Sequence, residues 1–248
     1  MIHWMSRAFA LGLLSLAGLT LGGCATGTNP ADPYEGFNRS MYSFNKGLDK
    51  AVLRPLAKGY DTVTPKPLQD GVGNFFSNLN ELPTILNDLL QAKFAQAGSD
   101  SGRFLINSTF GLAGLIDVAS RSGLERHDED FAQTLGYWGV GSGPYLMLPF
   151  LGPSTPRDVF GKALLGPLDP VGYIDHVPTR NSLFALRIID GRAQLFPLDK
   201  QLEEALDEYI FVRDAYLQHR EYLIKDGKVP EQKTECESED PADCAENW

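Results

Sequence analysis

The chain has 248 residues, of which 43% are hydrophobic and 22% are charged, and its formal net charge is -10. This length and composition predict a folded chain of one or two domains with enough apolar residues for a sizeable core. A negative chain repels a phosphate backbone, so the composition argues against a nucleic-acid partner.

Residues 1–23 have the order of a secretory signal. Arg7 precedes an uncharged run from Ala8 to Gly23. The run has about 16 residues, too few to span a bilayer comfortably. It closes on Leu21, Gly22, Gly23 and Cys24, which resembles the lipobox of bacterial lipoproteins, where the signal is cut before a lipidated cysteine. A plain signal peptide, or a buried helix with a chance cysteine, is the alternative.

The lipobox resemblance makes Cys24 the predicted lipidation site. Residue 25 is Ala and not Asp, so the inner-membrane retention signal of such lipoproteins is missing. The resemblance therefore implies a lipid-anchored protein on the periplasmic face of the outer membrane. Residues 24–31 are mostly small and are predicted to form a flexible tether between the lipid and the folded part.

The C-terminal residues 229–248 form a predicted acidic tail. From Glu231 to Trp248 there are seven acidic residues and one cation. With Cys24 assigned to lipid, Cys236 and Cys244 are the remaining pair in a compartment that oxidises thiols, and they are the candidate disulfide. Two free surface thiols are the alternative. The tail offers few apolar residues to bury, so it is expected to contribute little to folding.

The folded part is predicted to span residues 32–228 and to begin with an amphipathic helix. Asp32 and Pro33 favour a helix start with Asp32 as the N-cap. Apolar residues then recur at steps of three and four, at Phe37, Met41, Phe44, Leu48 and Val52. Pro55 is predicted to end this helix.

The middle of the chain contains two apolar arms with helical spacing. The first runs from Leu79 to Phe94 and the second from Phe104 to Val118, and Gly98 with Ser99 predicts a turn between them. Each arm has about 15 residues, a length typical of buried or interfacial segments. A soluble core and placement at a membrane interface both remain open for this hairpin.

The last hundred residues are also predicted to be helical outside one loop region. Glycines and prolines crowd the stretch from Gly136 to Pro170 and allow one short helix, from about Thr155 to Leu164. The acids before Phe131 favour a helix from Asp128 towards Tyr137. Helical spacing returns from Leu202 to Ile224, and the absence of sustained alternation favours an all-α fold.

The sequence offers no motif for catalysis, a metal or a cofactor. The histidines His3, His127, His176 and His219 are far apart, and none belongs to a His-Glu-x-x-His motif. Ser142, between Gly141 and Gly143, does not fit a nucleophile elbow, and a phosphate-loop lysine is missing. A phospholipid-cleaving hydrolase would therefore lack a candidate nucleophile, and a non-enzymatic role is predicted.

Several stretches match, in order, a known pattern. They are DPYEGFNRSMYSFNK at residues 32–46, RFLINST at 103–109 and IDVA at 116–119. Single positions follow: Phe131, Gln133, Thr134, Leu135, Gly136, Gly139, Val140, Gly141, Gly143, Pro144, Tyr145, Arg157, Asp158, Tyr209, Arg213, Ala215 and Tyr216. Together with the preceding lipobox, this pattern resembles the MlaA family, also called VacJ-like lipoproteins. The resemblance covers roughly residues 30 to 225; the acidic tail lies outside it, and the region between Leu164 and Leu195 matches weakly.

The resemblance implies both a fold and a role. The fold is a ring-like assembly of short amphipathic helices with a Gly/Pro-rich loop region, lodged in one membrane leaflet around an amphipathic channel. The role is to remove mislocalised phospholipids from the outer leaflet and pass them to a soluble periplasmic lipid carrier, often beside a trimeric porin. An envelope scaffold that moves no lipid is the alternative.

Gly139, Gly141 and Gly143 are the candidate channel hinge. Glycines at alternate positions permit positive φ and leave one side of an extended segment free of side chains. The segment belongs to one of the clearest stretches of the family resemblance. A fixed turn that needs glycine only for its dihedral angles is the alternative.

Overall fold

The computed structural model describes residues 29–228, and this part of the chain is mostly helical. The helices are α1 (Glu35–Leu48), α2 (Arg54–Val63), α3 (Lys66–Leu90), α4 (Phe94–Phe110), α5 (Val118–Arg121), α6 (Phe131–Tyr137), α7 (Pro156–Leu165), α8 (Val177–Gln194), α9 (Phe196–Glu204) and α10 (Glu208–Ile224). Two three-residue strands, β1 (Leu146–Leu148) and β2 (Gly152–Ser154), pair antiparallel. The predicted all-α class is confirmed, with one small hairpin added.

The first helix differs from its prediction at both ends. α1 begins at Glu35, and Asp32 is completely buried instead of capping it. Pro55 does not end the helical run, because a π-helical turn, Asp49–Leu53, leads directly into α2. The amide of Arg54 bonds to the carbonyl of Asp49, and Pro55 then lies in the first turn of α2, where a missing N–H costs nothing.

Helices α3 and α4 form the predicted hairpin, but its turn lies earlier than Gly98 and Ser99. The chain reverses after Leu90, where Ala92 adopts a positive φ of 59° and the Lys93 amide bonds to the Asp88 carbonyl at 2.8 Å. Gly98 and Ser99 are inside α4. A glycine costs a helix only about 1 kcal/mol relative to alanine, so α4 tolerates it.

Side-chain caps define the two short helices of the Gly/Pro-rich region. Asp130 accepts a hydrogen bond from the Gln133 amide at 2.8 Å, and α6 therefore starts at Phe131, later than predicted. Thr155 caps α7 by accepting from the Asp158 amide. The predicted short helix from Thr155 is confirmed.

The helices pack in a closed circuit. α1 continues through the π-helical turn into α2, which packs on α8; α8 packs on α3, α3 on α6, and α6 on α10. α10 then contacts β2, which pairs with β1, and β1 returns to α1. α7 lies against α6, and α9 lies against α8 and α10. This circuit agrees with the predicted ring-like assembly.

A buried junction between the two ends of the described chain closes the circuit. Asp32 accepts hydrogen bonds from Asn38 at 2.7 Å and from the hydroxyl of Tyr209 on α10. Asn38 also accepts from the amide of Met147 at 2.8 Å and donates to the carbonyl of Tyr145 at 3.0 Å. The point where the chain enters the fold is thereby held against both β1 and α10.

Candidate functional site

The polarity of the molecule is the reverse of that expected in water. Within residues 29–228, nine apolar residues are buried, against 21 that are polar or charged, and 33 large apolar side chains are exposed. Water-soluble proteins bury apolar side chains because that burial drives folding. The exposed apolar surface therefore needs apolar surroundings, which favours membrane placement over the soluble-core alternative for the hairpin.

The α3–α4 hairpin shows this inversion most clearly, because its two helices meet along a polar seam. Arg103 is 2% exposed and pairs with Glu81, 3% exposed, at 3.1 Å. Burial raises the pKa of Glu81 to about 6, against the opposing hydrogen bond from Arg103. Leucines and aromatic residues cover the outer side of the hairpin: Leu68, Leu82, Leu86, Leu89, Leu90, Phe94, Leu105 and Phe110.

Two buried carboxyl groups meet near the turn of the hairpin. Asp88 and Asp100 are both completely buried, and His127 Nδ1 lies 2.9 Å from Asp100 Oδ1. Burial, and then the hydrogen bond and charge of Asp100, raise the pKa of Asp88 to about 8. Burial beside Asp100 therefore favours the protonated form of Asp88 at neutral pH.

A cavity of about 460 Å³ lies inside the circuit, between α3, α6, α7, α8 and α10. We call it the charged cavity, because several charged side chains line it beside the apolar ones. Its lining includes the apolar Leu79, Pro83, Phe131, Ala132 and Leu165, and the polar or charged Asn80, Asp130, Asp158, Lys162, Asp169, Arg187, Tyr216 and Arg220. The volume and mixed lining fit an amphipathic ligand.

Most charges of this cavity are held in ion pairs. Arg220 bonds to Asp130 at 2.6 Å and lies 2.9 Å from Asp158. Burial alone would lower the pKa of Arg220, but these carboxylates raise it, so the cation is permanent. Arg187 pairs with Asp169 at 2.8 Å. Lys162 is exposed and has no ion-pair partner among the described residues.

A second cavity of about 440 Å³ lies between α1, the β hairpin, α8, α9 and α10. We call it the apolar cavity, because most of its lining is hydrocarbon. The apolar lining residues are Met147, Pro153, Leu195, Leu198, Leu202, Phe211, Val212 and Ala215. Its charged residues are paired: Arg192 bonds to Asp49 at 2.7 Å and to Asp199 at 3.0 Å.

Neither a bilayer-spanning helix nor a metal-binding cluster is present in the part of the chain that the structure describes. Between residues 29 and 228, no helix has both the length and the apolar character needed to cross a bilayer. The same residues contain no group of three or more His, Cys, Asp or Glu side chains that could hold a metal. Cys24, Cys236 and Cys244 lie outside the described residues, so lipidation and the disulfide stay predictions.

The sequence matches a known family over most of its length, since the model of the MlaA lipoprotein family covers residues 30–223. The chain belongs to the MlaA lipoprotein family. It is 37% identical over 231 residues to the intermembrane phospholipid transport system lipoprotein MlaA of Escherichia coli strain K12, which covers 90% of this chain and 92% of that protein. The Haemophilus influenzae protein of the same name is 34% identical over 228 residues, covering 88% of this chain and 91% of its own.

A solved structure supports the same assignment. It comes from work on the structural basis for maintenance of bacterial outer membrane lipid asymmetry, and it superposes with a TM-score of 0.70 at 36% identity. The match covers 78% of this chain and 98% of that chain. The resemblance to the MlaA family and the helical fold are both confirmed.

In this MlaA-family chain the three hinge glycines have different geometries. Gly139 has a φ of +87° and ends α6, where its amide bonds to Gly136 and the Val140 amide bonds to Leu135, both at 2.9 Å. Gly143 has a φ of +72°, and a Cβ there would lie 3.0 Å from Pro156. Gly141 meets neither constraint. The fixed-turn alternative therefore describes Gly139 and Gly143 well, and the hinge stays a prediction that depends chiefly on Gly141.

The residues lining the two cavities were not found from the sequence. Arg157 and Asp158 belong to the family pattern, but nothing in their spacing shows that Asp158 faces Arg220 on a helix 62 residues away. One local signal was available. Charged residues such as Asp100 and Arg103 repeat with the same helical period as the leucines, which indicates a second, polar contact face.

Proposed function

We propose that this protein is an outer-membrane lipoprotein that removes mislocalised phospholipids from the outer leaflet and passes them to a soluble periplasmic carrier. Removal of these lipids maintains the lipid asymmetry of the membrane. The charged cavity, enclosed by a ring with an apolar outer surface, is the observation that carries the proposal. The names of the Escherichia coli and Haemophilus influenzae relatives, both phospholipid transport lipoproteins, support the substrate class.

The inverted polarity explains how such a ring can work. Exposed side chains such as Leu86 and Phe94 can contact acyl chains, so the ring is stable within one leaflet. The interior offers charged and hydrogen-bonding groups to a headgroup that could not pass through hydrocarbon without them. A phospholipid that enters the ring would thus leave one amphipathic environment, the leaflet, for another at little cost in free energy.

The remaining parts of the proposal concern attachment and partners. Lipid chains on Cys24 would anchor the protein from the periplasmic face, and the junction at Asp32 would fix where the tether joins the ring. A trimeric porin beside the ring and a soluble carrier that receives the lipid are partners implied by the family. Both belong to the proposal.

A blocked cavity tests the role in transport. In a strain whose own copy is deleted, we expect Leu165→Trp, which narrows the charged cavity with a larger side chain, to restore little function. Phospholipid in the outer leaflet, measured with an impermeant label, should stay near the deletion level, and resistance to detergent and chelator should remain low. Leu164→Trp is the matched control, because Leu164 is 51% exposed and does not line the cavity.

Folding must be separated from blockage. Thermal unfolding of both variants should stay close to that of the wild type. If Leu165→Trp unfolds, Leu79→Trp narrows the same cavity from α3, with the exposed Leu82→Trp as its control. Full function from a stable, blocked protein would overturn the proposal and favour the scaffold alternative, in which the ring interior carries nothing.

A further inference from the structure

The charged cavity and the apolar cavity follow one another along the same two helices. On α10, Val212 lines the apolar cavity and Tyr216, one turn later on the same face, lines the charged cavity. On α8, Arg187 lines the charged cavity and Arg192 lines the apolar cavity, as does Leu195 just after the helix ends. Residues four apart in a helix share a face, so the two cavities have common walls.

The spacing of these residues suits the parts of one ligand. A helix rises about 1.5 Å per residue, so the lining residues are separated by ~6 Å along α10 and ~8 Å along α8. This distance is comparable to that between the phosphate of a phospholipid and the upper half of its acyl chains. The two linings are thus close enough along these helices to match the length of one lipid.

The two cavities differ in what they leave unsatisfied. In the apolar cavity Leu195 is 50% exposed, Leu198 51% and Phe211 42%, so these side chains have apolar surface that no other residue covers. Its cation Arg192 is already paired with Asp49 and Asp199. In the charged cavity, by contrast, Lys162 makes no ion pair with any residue between 29 and 228 and can meet an anion.

We propose that a phospholipid lies along the ring interior in one orientation, with its phosphate near Lys162 in the charged cavity and an acyl chain in the apolar cavity. This inference rests on the proposed function and adds the direction of the lipid. The paired Arg192 offers a phosphate little, because its hydrogen bonds to two carboxylates would have to be broken. The exposed leucines offer the phosphate neither a charge nor a hydrogen bond.

Two photoreactive phospholipids test the orientation in the full-length, lipidated protein. One carries a diazirine at the end of an acyl chain and the other carries it on the headgroup, and both are supplied in vesicles of phosphatidylethanolamine and phosphatidylglycerol. Mass spectrometry then locates the adducts. We expect the acyl probe to label α9 and residues 211–215 at least fivefold more than α7, and the headgroup probe to show the opposite preference.

A substitution in the apolar cavity sharpens the test. Leu198→Glu places a carboxylate where the acyl chain is proposed, and Leu198 is exposed enough for the fold to accept it. We expect acyl-probe labelling of α9 to fall at least fivefold. Leu206→Glu is the control, because Leu206 is fully exposed and does not line the apolar cavity; its labelling should match the wild type.

The outcomes separate the orientation from the proposed function. Equal labelling of both cavities by both probes, or the reversed preference, would overturn the orientation and leave transport standing. Loss of acyl labelling in both glutamate variants would also contradict it, since the effect would not be local. If neither probe labels the ring interior of the wild-type protein, the proposed function itself fails.

Discussion

The α3–α4 hairpin and the junction that closes the ring are held together in different ways. In the hairpin, charged and amide side chains face inward, and the leucines face out. At the junction, an apolar cluster of Tyr145, Met147 and Tyr209 is buried beside the hydrogen bonds of Asp32, and Tyr145 packs edge-to-face on Tyr209 with ring centroids 6.2 Å apart. One region resembles a protein in lipid and the other a protein in water.

The contrast shows where each region meets its solvent. Leucines on the hairpin gain nothing by facing inward when lipid surrounds them, so directional polar contacts hold the two helices together. At the junction, apolar burial can drive association because water is available to the unfolded chain. The hairpin is thus the part of the ring with the more apolar outer surface, and the junction the part with the more apolar interior.

Breaking the seam should have the largest effect. Arg103→Met leaves Glu81 buried without its cation, and removing one partner of a buried ion pair typically costs about 3–5 kcal/mol. Urea unfolding of the detergent-solubilised protein measures the loss. Arg126→Met is the control, because its pair with Asp128 is largely exposed and should contribute less than about 1 kcal/mol. Equal losses in the two variants would show that the seam does not hold the hairpin.

Truncation at the junction should destabilise the protein by a similar or smaller amount. Met147 is 1% exposed, so Met147→Ala creates a cavity that should cost about 2–5 kcal/mol. Leu151→Ala removes a side chain that is 71% exposed and should change stability little. If Met147→Ala is as stable as Leu151→Ala, the aromatic cluster does not close the ring.

The carboxyl pair in the hairpin should make stability depend on pH. Asp88 has a pKa of about 8 in the folded chain, well above the ordinary value near ~4. The folded chain keeps a proton that the unfolded chain releases, so this contribution is complete at low pH and is lost as pH rises towards 8. This contribution changes by about 1.4 kcal/mol per pH unit, so between pH 5 and pH 8.5 Asp88→Asn should lose less stability than the wild type, by as much as ~4 kcal/mol.

The surroundings of Asp88 define the control for this titration. Asp100, Glu129 and Lys93 lie near Asp88, His127 lies beside Asp100, and all four side chains remain in the variant. Asp70→Asn changes a carboxyl that is exposed and should leave the pH dependence as it is. A wild-type protein whose stability does not fall over this range would contradict the raised pKa of Asp88.

The glycine segment should show the smallest effect on stability and the sharpest effect on transport. Gly141→Val fits the available space, so its melting temperature should stay near the wild type while transport is lost, if the hinge exists. Gly143→Val strains a positive φ beside Pro156 and should cost about 1 kcal/mol or more. A Gly141→Val protein that is stable and fully restores detergent resistance would refute the hinge.

The sequence could predict the features that depend on residues close together in the chain, and not those that depend on distant residues. The start of α7 was predictable because Thr155 caps it within four residues. The period of the hairpin helices was also predictable, but periodicity does not say which face turns inward, and the leucines turned outward. The charged cavity could not be predicted, because Arg220 meets Asp130 across 90 residues of chain. The family resemblance supplied the ring that local spacing could not.

Native mass spectrometry of the protein, extracted gently from membranes, tests the central claim most directly. We predict that the wild type and Leu164→Trp each retain a bound phospholipid, and that Leu165→Trp retains much less because its larger side chain narrows the charged cavity. A lipid-free wild type, or a folded Leu165→Trp protein with as much lipid as the wild type, would contradict a phospholipid path through the ring.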